Sequence, residues 1–259
     1  MSPFLTLFFH LGRFFSHNEA VSLWTLSNFQ HGRCPPGRRI VRLNIDETSI
    51  CFHQSESTGF LVADARKRAR CGDPLVRNVS LGAKRTHMSH LAVISDDPDV
   101  QRLVPQMLLV GENVFPETIV AHVQECVLPP WKLVRQKKAW VNVETMMQFA
   151  KHLVSALTDL QESTHFVLSF DSFRAHTNPR VLRYLSMNGF HVVVIPALMT
   201  WALQPLDTHA FAVYKKELSA NATVRALEHA GSANSWRDLI TLVIATGNDI
   251  IRGRAWKKF

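Results

Sequence analysis

Residues 190–218, FHVVVIPALMTWALQPLDTHAFAVYKKEL, decide how the rest of the chain is read. Val192 to Ile195 is an apolar, β-branched run that predicts a buried strand, and Pro196 ends it. A polar turn, Gln204-Pro205, then introduces Asp207 just ahead of a helical pattern. Asp207, Phe211, Tyr214 and Leu218 are spaced four, three and four apart, which predicts one shared helix face. A carboxylate among core-type residues is costly unless something compensates it, and a metal ion would. The competing reading makes Asp207 a helix N-cap, a role for which Asp is favoured.

Moving upstream, His165 to Phe170 predicts a strand that ends at Asp171. Asn178-Pro179 is a good N-cap and first-turn pair, opening a helix through Leu182 and Leu185 to a stop at Gly189. Residues 143–160 carry apolar side chains at 146, 149, 150, 153, 154, 157 and 160, a helical stripe. Ile40 to Thr48, IVRLNIDET, alternates and predicts a strand with Asp46 at its far end, on the face opposite Val41, Leu43 and Ile45. Two more short strands are expected at Leu91 to Ser95 and Met107 to Val110, with the turn-forming Asp96-Asp97-Pro98 after the first. Residues 64–90 are polar, basic and expected to be looped. Downstream, a further helical pattern runs from Trp236 to about Ile251, before a basic end. Strands come first, then helix and strand alternate, so the expected fold is α/β, a mixed sheet covered by helices. Three segments are expected: a poorly defined stretch over 1–39, a domain over 40–220, and a helical, basic segment over 221–259.

With 259 residues and 46% hydrophobic side chains, the chain can bury a sizeable core and is not of disordered composition. Its net charge of +8 suits a polyanionic partner, meaning nucleic acid or an acidic membrane surface. No apolar run approaches the ~18 residues of a membrane span. Cys34, Cys51, Cys71 and Cys126 form no metal-ligand spacing and read as free thiols in a reducing compartment.

Asp46, Asp171 and Asp207 thus stand at two strand ends and a helix start. Residues at such places line the active crevice of open α/β sheets. Three carboxylates brought together repel one another and raise each other's pKa. A pair of divalent metals removes that conflict. Hard carboxylate oxygens suit Mg²⁺ or Mn²⁺, and two such ions can activate a nucleophile and stabilise a leaving oxygen at phosphorus.

Four stretches carry a family resemblance: NIDETSI (44–50), FVLSFDSFRAH (166–176), VVVIP (192–196) and LQPLDTHAFAVYKKEL (203–218). Over roughly residues 40–218 the chain resembles the catalytic domain of DDE-superfamily endonucleases, specifically the pogo, Tigger and jerky-like transposases. The resemblance implies an RNase H-like fold and metal-dependent cleavage and strand transfer of DNA. It also implies Asp46, Asp171 and Asp207 as catalytic residues and metal ligands, and a nuclear protein. LQPLD is the most specific piece. Two departures stand out: Ser172 where the family usually has Asn, and Pro196-Ala197-Leu198-Met199-Thr200-Trp201 where it usually has a double proline followed by Asn, Thr and Thr. Residues 1–39 are too short for the helix-turn-helix domains of such transposases, so the sequence reads as a truncated or domesticated copy.

Around the triad, Glu47 reads as structural or as a secondary ligand, pointing to the opposite strand face. His176 matches the family's motif histidine and is expected to contact DNA, to orient a carboxylate, or to serve only as a polar cap. Two basic clusters are candidate DNA-binding surfaces: Arg66, Lys67, Arg68 and Arg70, and then Lys132, Arg135, Lys137 and Lys138, read as loop-borne and flanked by Trp131 and Trp140. The expected partners are DNA and a second copy of the chain, with no membrane. Three functions compete: a DDE-type endonuclease and strand transferase, a catalytically silent DNA-binding or chromatin protein that keeps the fold, and an RNase H-like nuclease acting on RNA–DNA hybrids.

Overall fold

The computed structural model describes residues 34, 37–55, 59–62, 85–126, 130–197, 199–228, 236–254 and 256. Its seven strands are β1 (Arg39–Ser55), β2 (Gly59–Val62), β3 (Arg85–Ser95), β4 (Gln106–Gly111), β5 (Trp131–Gln136), β6 (Thr164–Phe170) and β7 (Phe190–Val194). Its helices are α1 (Pro98–Leu103), α2 (Glu117–Cys126), α3 (Val143–Leu157), α4 (Pro179–Met187), α5 (Thr200–Leu203), α6 (Phe211–Glu228) and α7 (Trp236–Gly247). One sheet has the order β5-β4-β3-β1-β6-β7, with β2 pairing the far end of β1. β1, β3 and β4 form an antiparallel meander, and β6 and β7 add to β1 in parallel. This is the mixed sheet of an RNase H-like α/β fold.

Period-2 alternation on β1 sorts the layers. Val41, Leu43 and Ile45 face a core built with Met146, Phe149 and Leu153 of α3 and with Val181 and Leu185 of α4. The opposite face of the sheet packs against α2, α6 and α7, through Leu108, Val123, Phe211, Tyr214, Leu218, Ile240 and Val243. Asn44 and Asp46 fall on that second face by parity. So do Ser169 on β6 and, one pleat on, Asp171.

Several elements form where the sequence predicts them. Asn178 caps α4, accepting from the Arg180 N–H at 3.0 Å. Gly189 closes the connection to β7 with φ +80°, a left-handed conformation that glycine adopts without strain. α3 matches its stripe, its last turn tightening to a 3₁₀ turn over Thr158–Leu160.

Two expectations change. β1 does not stop at residue 48. Its register with β3 continues from Leu43↔Ser95 to His53↔Arg85, so antiparallel strand pairing replaces the expected loop over 85–90. Asp46 therefore sits within a long strand, just past Asn44↔Ser169, where the register with β6 ends. Asp97 is an N-cap as well as a turn residue, accepting at 3.0 Å from the Asp99 and Val100 N–H groups to start α1.

Among the described residues no helix is long and apolar enough to cross a membrane. Among the described residues Cys34, Cys51 and Cys126 form no disulfide, while Cys71 lies outside the described residues.

The C-terminal packing is tight at Gly247. A Cβ there would lie 2.7 Å from two Trp131 ring carbons. That indole is held by its Nε1–H to Asn248 Oδ1 at 2.8 Å. Gly247→Ala should therefore destabilise the protein by about 1–3 kcal/mol through overpacking, read from the urea midpoint.

Candidate active site

Three elements converge on the second face of the sheet. β1 supplies Asp46, the end of β6 supplies Asp171, and the turn before α6 supplies Asp207. Asp46 is 6% exposed, and its Oδ1 accepts from the Glu47 N–H at 2.8 Å. Burial first, then the charges of Asp207, Glu47 and Asp171, push its carboxyl up to about 8. Asp207 is also raised, first by burial and further by Asp171 and Glu47. A hydrogen bond from the Asp46 carboxyl and the charge of Lys215 work against that rise. Asp46 and Asp207 thus lie within hydrogen-bonding reach, close enough that one of them keeps a proton near neutral pH.

Asp207 does not sit as the sequence predicts. The turn Leu206–Ala210 is a π-helical turn whose N-cap is Pro205, with no side-chain capping bond, so Asp207 is not a cap. A π turn closes one residue later than an α turn. The core face runs through Leu206, Ala210, Phe211, Tyr214 and Leu218, and Asp207 is displaced from it toward solvent.

Asp171 is organised differently. Its Oδ1 accepts from the Phe173 N–H at 3.0 Å and from His176 Nδ1 at 2.6 Å. Burial would raise its carboxyl, but these bonds and the His176 charge hold it below the usual carboxylate range. His176 is fully buried between Phe170 and Phe173, with Nε2 3.1 Å from Glu47 Oε2. That second contact is an ion pair that misses hydrogen-bond geometry. Burial would lower the imidazole, yet the contacts with Asp171 and Glu47 outweigh it and hold His176 at about 9. Glu47, on the opposite strand face by parity, joins the cluster through this cation. Of the readings open for His176, the structure places it on a carboxylate.

Among the described residues, no three His, Cys, Asp or Glu side chains already stand in metal-coordinating geometry. The donor chemistry nevertheless fits a hard cation. Asp46 and Asp207 bring two oxygen-donor groups into one place, burial and then the charge of Asp207 keep the proton on Asp46, and Lys215 is the cation acting on Asp207.

The basic clusters fare unevenly. Arg66, Lys67, Arg68 and Arg70 lie outside the described residues. Lys132 and Arg135 are not loop-borne, because β5 pairs in parallel with β4 from Gln106↔Trp131 to Gly111↔Gln136. Trp131 is core, whereas Trp140 is 72% exposed. Arg135 directs its guanidinium to the carbonyls of Phe115 (2.8 Å) and Glu112 (3.2 Å), which fixes the edge of the sheet. Lys137 and Lys138 are exposed beyond the strand. Strands β4 to β7 run the same way, so these lysines stand at the same end of the sheet as Asp171, though four strands away from β6. Sequence reasoning passed over Asn44 and Gln204, both fully buried. The one available signal was an amide two residues before Asp46, on the Asp46 side of the strand.

A family model described as DDE superfamily endonuclease matches residues 110–246, more than half of the chain. The match takes in Asp171 and Asp207, while Asp46 precedes it. No curated protein matches. Among solved structures, the Mos1 mariner paired-end complex with Mn is 16% identical, with TM-score 0.44, and the alignment covers 88% of this chain and 59% of that one. The Mos1 transposase paired-end complex with left transposon end is 17% identical, with TM-score 0.42 and the same coverage. The Mos1 Strand Transfer Complex is 16% identical, with TM-score 0.40, covering 88% and 58%. The chain thus spans about three-fifths of the length of these Mos1 chains.

Proposed function

The chain belongs to the DDE superfamily of endonucleases, and on that premise we propose that it cleaves DNA phosphodiester bonds at a divalent-metal centre held by Asp46, Asp171 and Asp207. The observation that carries this reading is the crowding of Asp46 and Asp207, with Asp171 close enough to raise both. A structural core has no need of a buried carboxyl that keeps its proton near neutral pH, as Asp46 does. Bound Mg²⁺ or Mn²⁺ would supply the charge that activates the attacking oxygen and stabilises the leaving one.

The protein's own groups prepare that site. Asp171 commits Oδ1 to His176 and Phe173, which leaves Oδ2 for the cation. His176 also engages Glu47, so the negative charge of Glu47 is partly offset beside the site. Lys137 and Lys138, with the net charge of +8, put positive charge at the acidic cluster's end of the sheet for the DNA backbone to approach. Membership of the pogo, Tigger and jerky-like branch, strand transfer, action as a homodimer and residence in the nucleus are parts of the same proposal.

A second reading keeps the fold and the DNA contact without cleavage. Ser172 beside Asp171 and Trp201, 66% exposed in the segment before the Asp207 turn, favour it, because both depart from the family pattern next to the acids. Supercoiled plasmid separates the two. Mg²⁺ or Mn²⁺ should allow the chain to produce nicked circles, chelation should stop it, and Asp171→Asn should lower the rate by about two orders of magnitude or more. Intact plasmid with wild-type protein that still retains DNA on a gel would favour the silent reading.

A further inference from the structure

A buried polar chain ties the central strand to the turn that carries Asp207. Asn44 Nδ2 donates to Gln204 Oε1 at 3.1 Å, to Ser169 Oγ at 3.1 Å and to the Ser169 carbonyl at 3.2 Å. Asn44 Oδ1 accepts from the Leu206 N–H at 3.1 Å, across 162 residues of sequence. Gln204 Nε2 returns to β1 by donating to the Ile45 carbonyl at 3.1 Å. Ser169 Oγ donates to the Leu43 carbonyl at 3.1 Å, which brings in β6.

Apolar side chains would fill this space without the desolvation that buried amides suffer. What an apolar pair cannot do is fix direction. The Leu206 N–H belongs to the first turn of a helical segment, where amides have no partner inside the turn. Pro205, at the N-cap position, makes no side-chain capping bond. Asn44 therefore caps the Asp207 turn from another strand. The bonds grip β1 at residues 44 and 45, just before Asp46, and grip the turn at 204 and 206, on the approach to Asp207.

We infer that Asn44 and Gln204 are positioning residues that set the separation of the Asp46 and Asp207 carboxylates, and through it the affinity of the site for a divalent cation. This inference rests on the metal-centre reading above. A purely structural network would instead change stability, and metal affinity only in step with it.

The test compares metal-free melting with Mn²⁺ affinity, read from the EPR signal of free Mn²⁺, for wild type, Asp207→Asn, Gln204→Met, Asn44→Leu/Gln204→Met and Leu153→Ala. Gln204→Met should bind Mn²⁺ roughly 10–100-fold more weakly. It should also melt lower, because Asn44 and Ile45 lose a partner. The double variant also takes the acceptor from the Leu206 N–H, so it should melt no higher than Gln204→Met and bind Mn²⁺ at least as weakly. Leu153→Ala, a cavity in the core on the other face of the sheet, is the stability control: it should melt well below wild type and keep wild-type Mn²⁺ affinity. That uncoupling is the expected result, and Gln204→Asn, which keeps the amide but shortens its reach, decides the matter in the same way if Gln204→Met does not fold. Wild-type Mn²⁺ affinity in the Gln204 variant, or a Leu153→Ala affinity that falls in step with its melting temperature, overturns the inference and leaves the metal centre standing. Wild type binding Mn²⁺ no better than Asp207→Asn overturns the metal-centre reading, and this inference falls with it.

Discussion

Asp207→Asn should leave the metal-free protein at least as stable as wild type, while removing most of its response to Mn²⁺ and nearly all of its nicking. Asp207 makes no capping bond, so the start of α6 loses nothing when the charge goes. The amide also relieves Asp46 of one of the charges that raise its carboxyl. With metal present the sign reverses. A cation that binds only the folded state stabilises it in proportion to its affinity, and each tenfold loss of affinity removes about 1.4 kcal/mol of that effect at saturating metal. Cleavage should fall by about two orders of magnitude or more, since a carboxylate ligand is gone. Thermal melts with and without Mn²⁺, alongside plasmid nicking, check the three expectations. Equal Mn²⁺ shifts and equal nicking in both proteins would remove Asp207 from the metal site.

Asp46→Asn should stabilise the metal-free protein at pH 8 and leave it unchanged near pH 4. The folded-state carboxyl titrates at about 8 against its ordinary 3.8. Below about pH 4 both the folded and unfolded chains hold the proton, and Asp46 has no differential effect. As pH rises from 4 to 8 the unfolded chain gives up the proton while the folded chain retains it, so stability falls across that window. Each unit of displacement is worth about 1.4 kcal/mol, which caps the loss on the order of 6 kcal/mol. In melting temperature that is roughly 10 °C for a chain of this length. His176 acts in the opposite sense. Its folded-state value of about 9 lends stability below its ordinary 6.5 that is lost as pH rises toward 9. Both proteins share this contribution, so it cancels in their difference to first order. Mn²⁺ added to wild type at pH 8 should narrow the gap. A gap of the same size at pH 4 and pH 8 would mean that Asp46 is not strained by burial and its acidic neighbours.

What the sequence disclosed about this site depended on how local the signal was. β6, with Asp171 just beyond it, and α4, with its Asn178 cap and Gly189 stop, are written in contiguous residues and form as read. The length of β1 is not written in β1. It follows from eleven register pairs with β3, whose N-terminal half looks like basic loop. β5 did carry a signal. Trp131 and Leu133 alternate as buried positions, but the basic residues around them suggested a solvent-exposed cluster. Asp207 was placed by counting in an α-helical period, and one π-helical turn was enough to move it off the core face. The Asn44–Gln204 pairing spans 160 residues, and no local pattern encodes it.

The parallel pairing of β1 with β6 also sets an order of events during synthesis. Asn44 meets Ser169 only after 125 further residues have been made. At about 5–20 residues per second, the nascent chain carries the β6-facing edge of its central strand for roughly 6–25 s before the partner leaves the ribosome. β3 and β4 can close on the other edge during that interval, because both are made well before β6. The open edge belongs to a strand whose Val41, Leu43 and Ile45 are all core residues, the kind of unpaired template that recruits other chains. Chaperone occupancy on stalled nascent chains should accordingly be high for lengths that expose β1 but not β6. The acidic cluster assembles last of all, when Asp207 arrives behind β7.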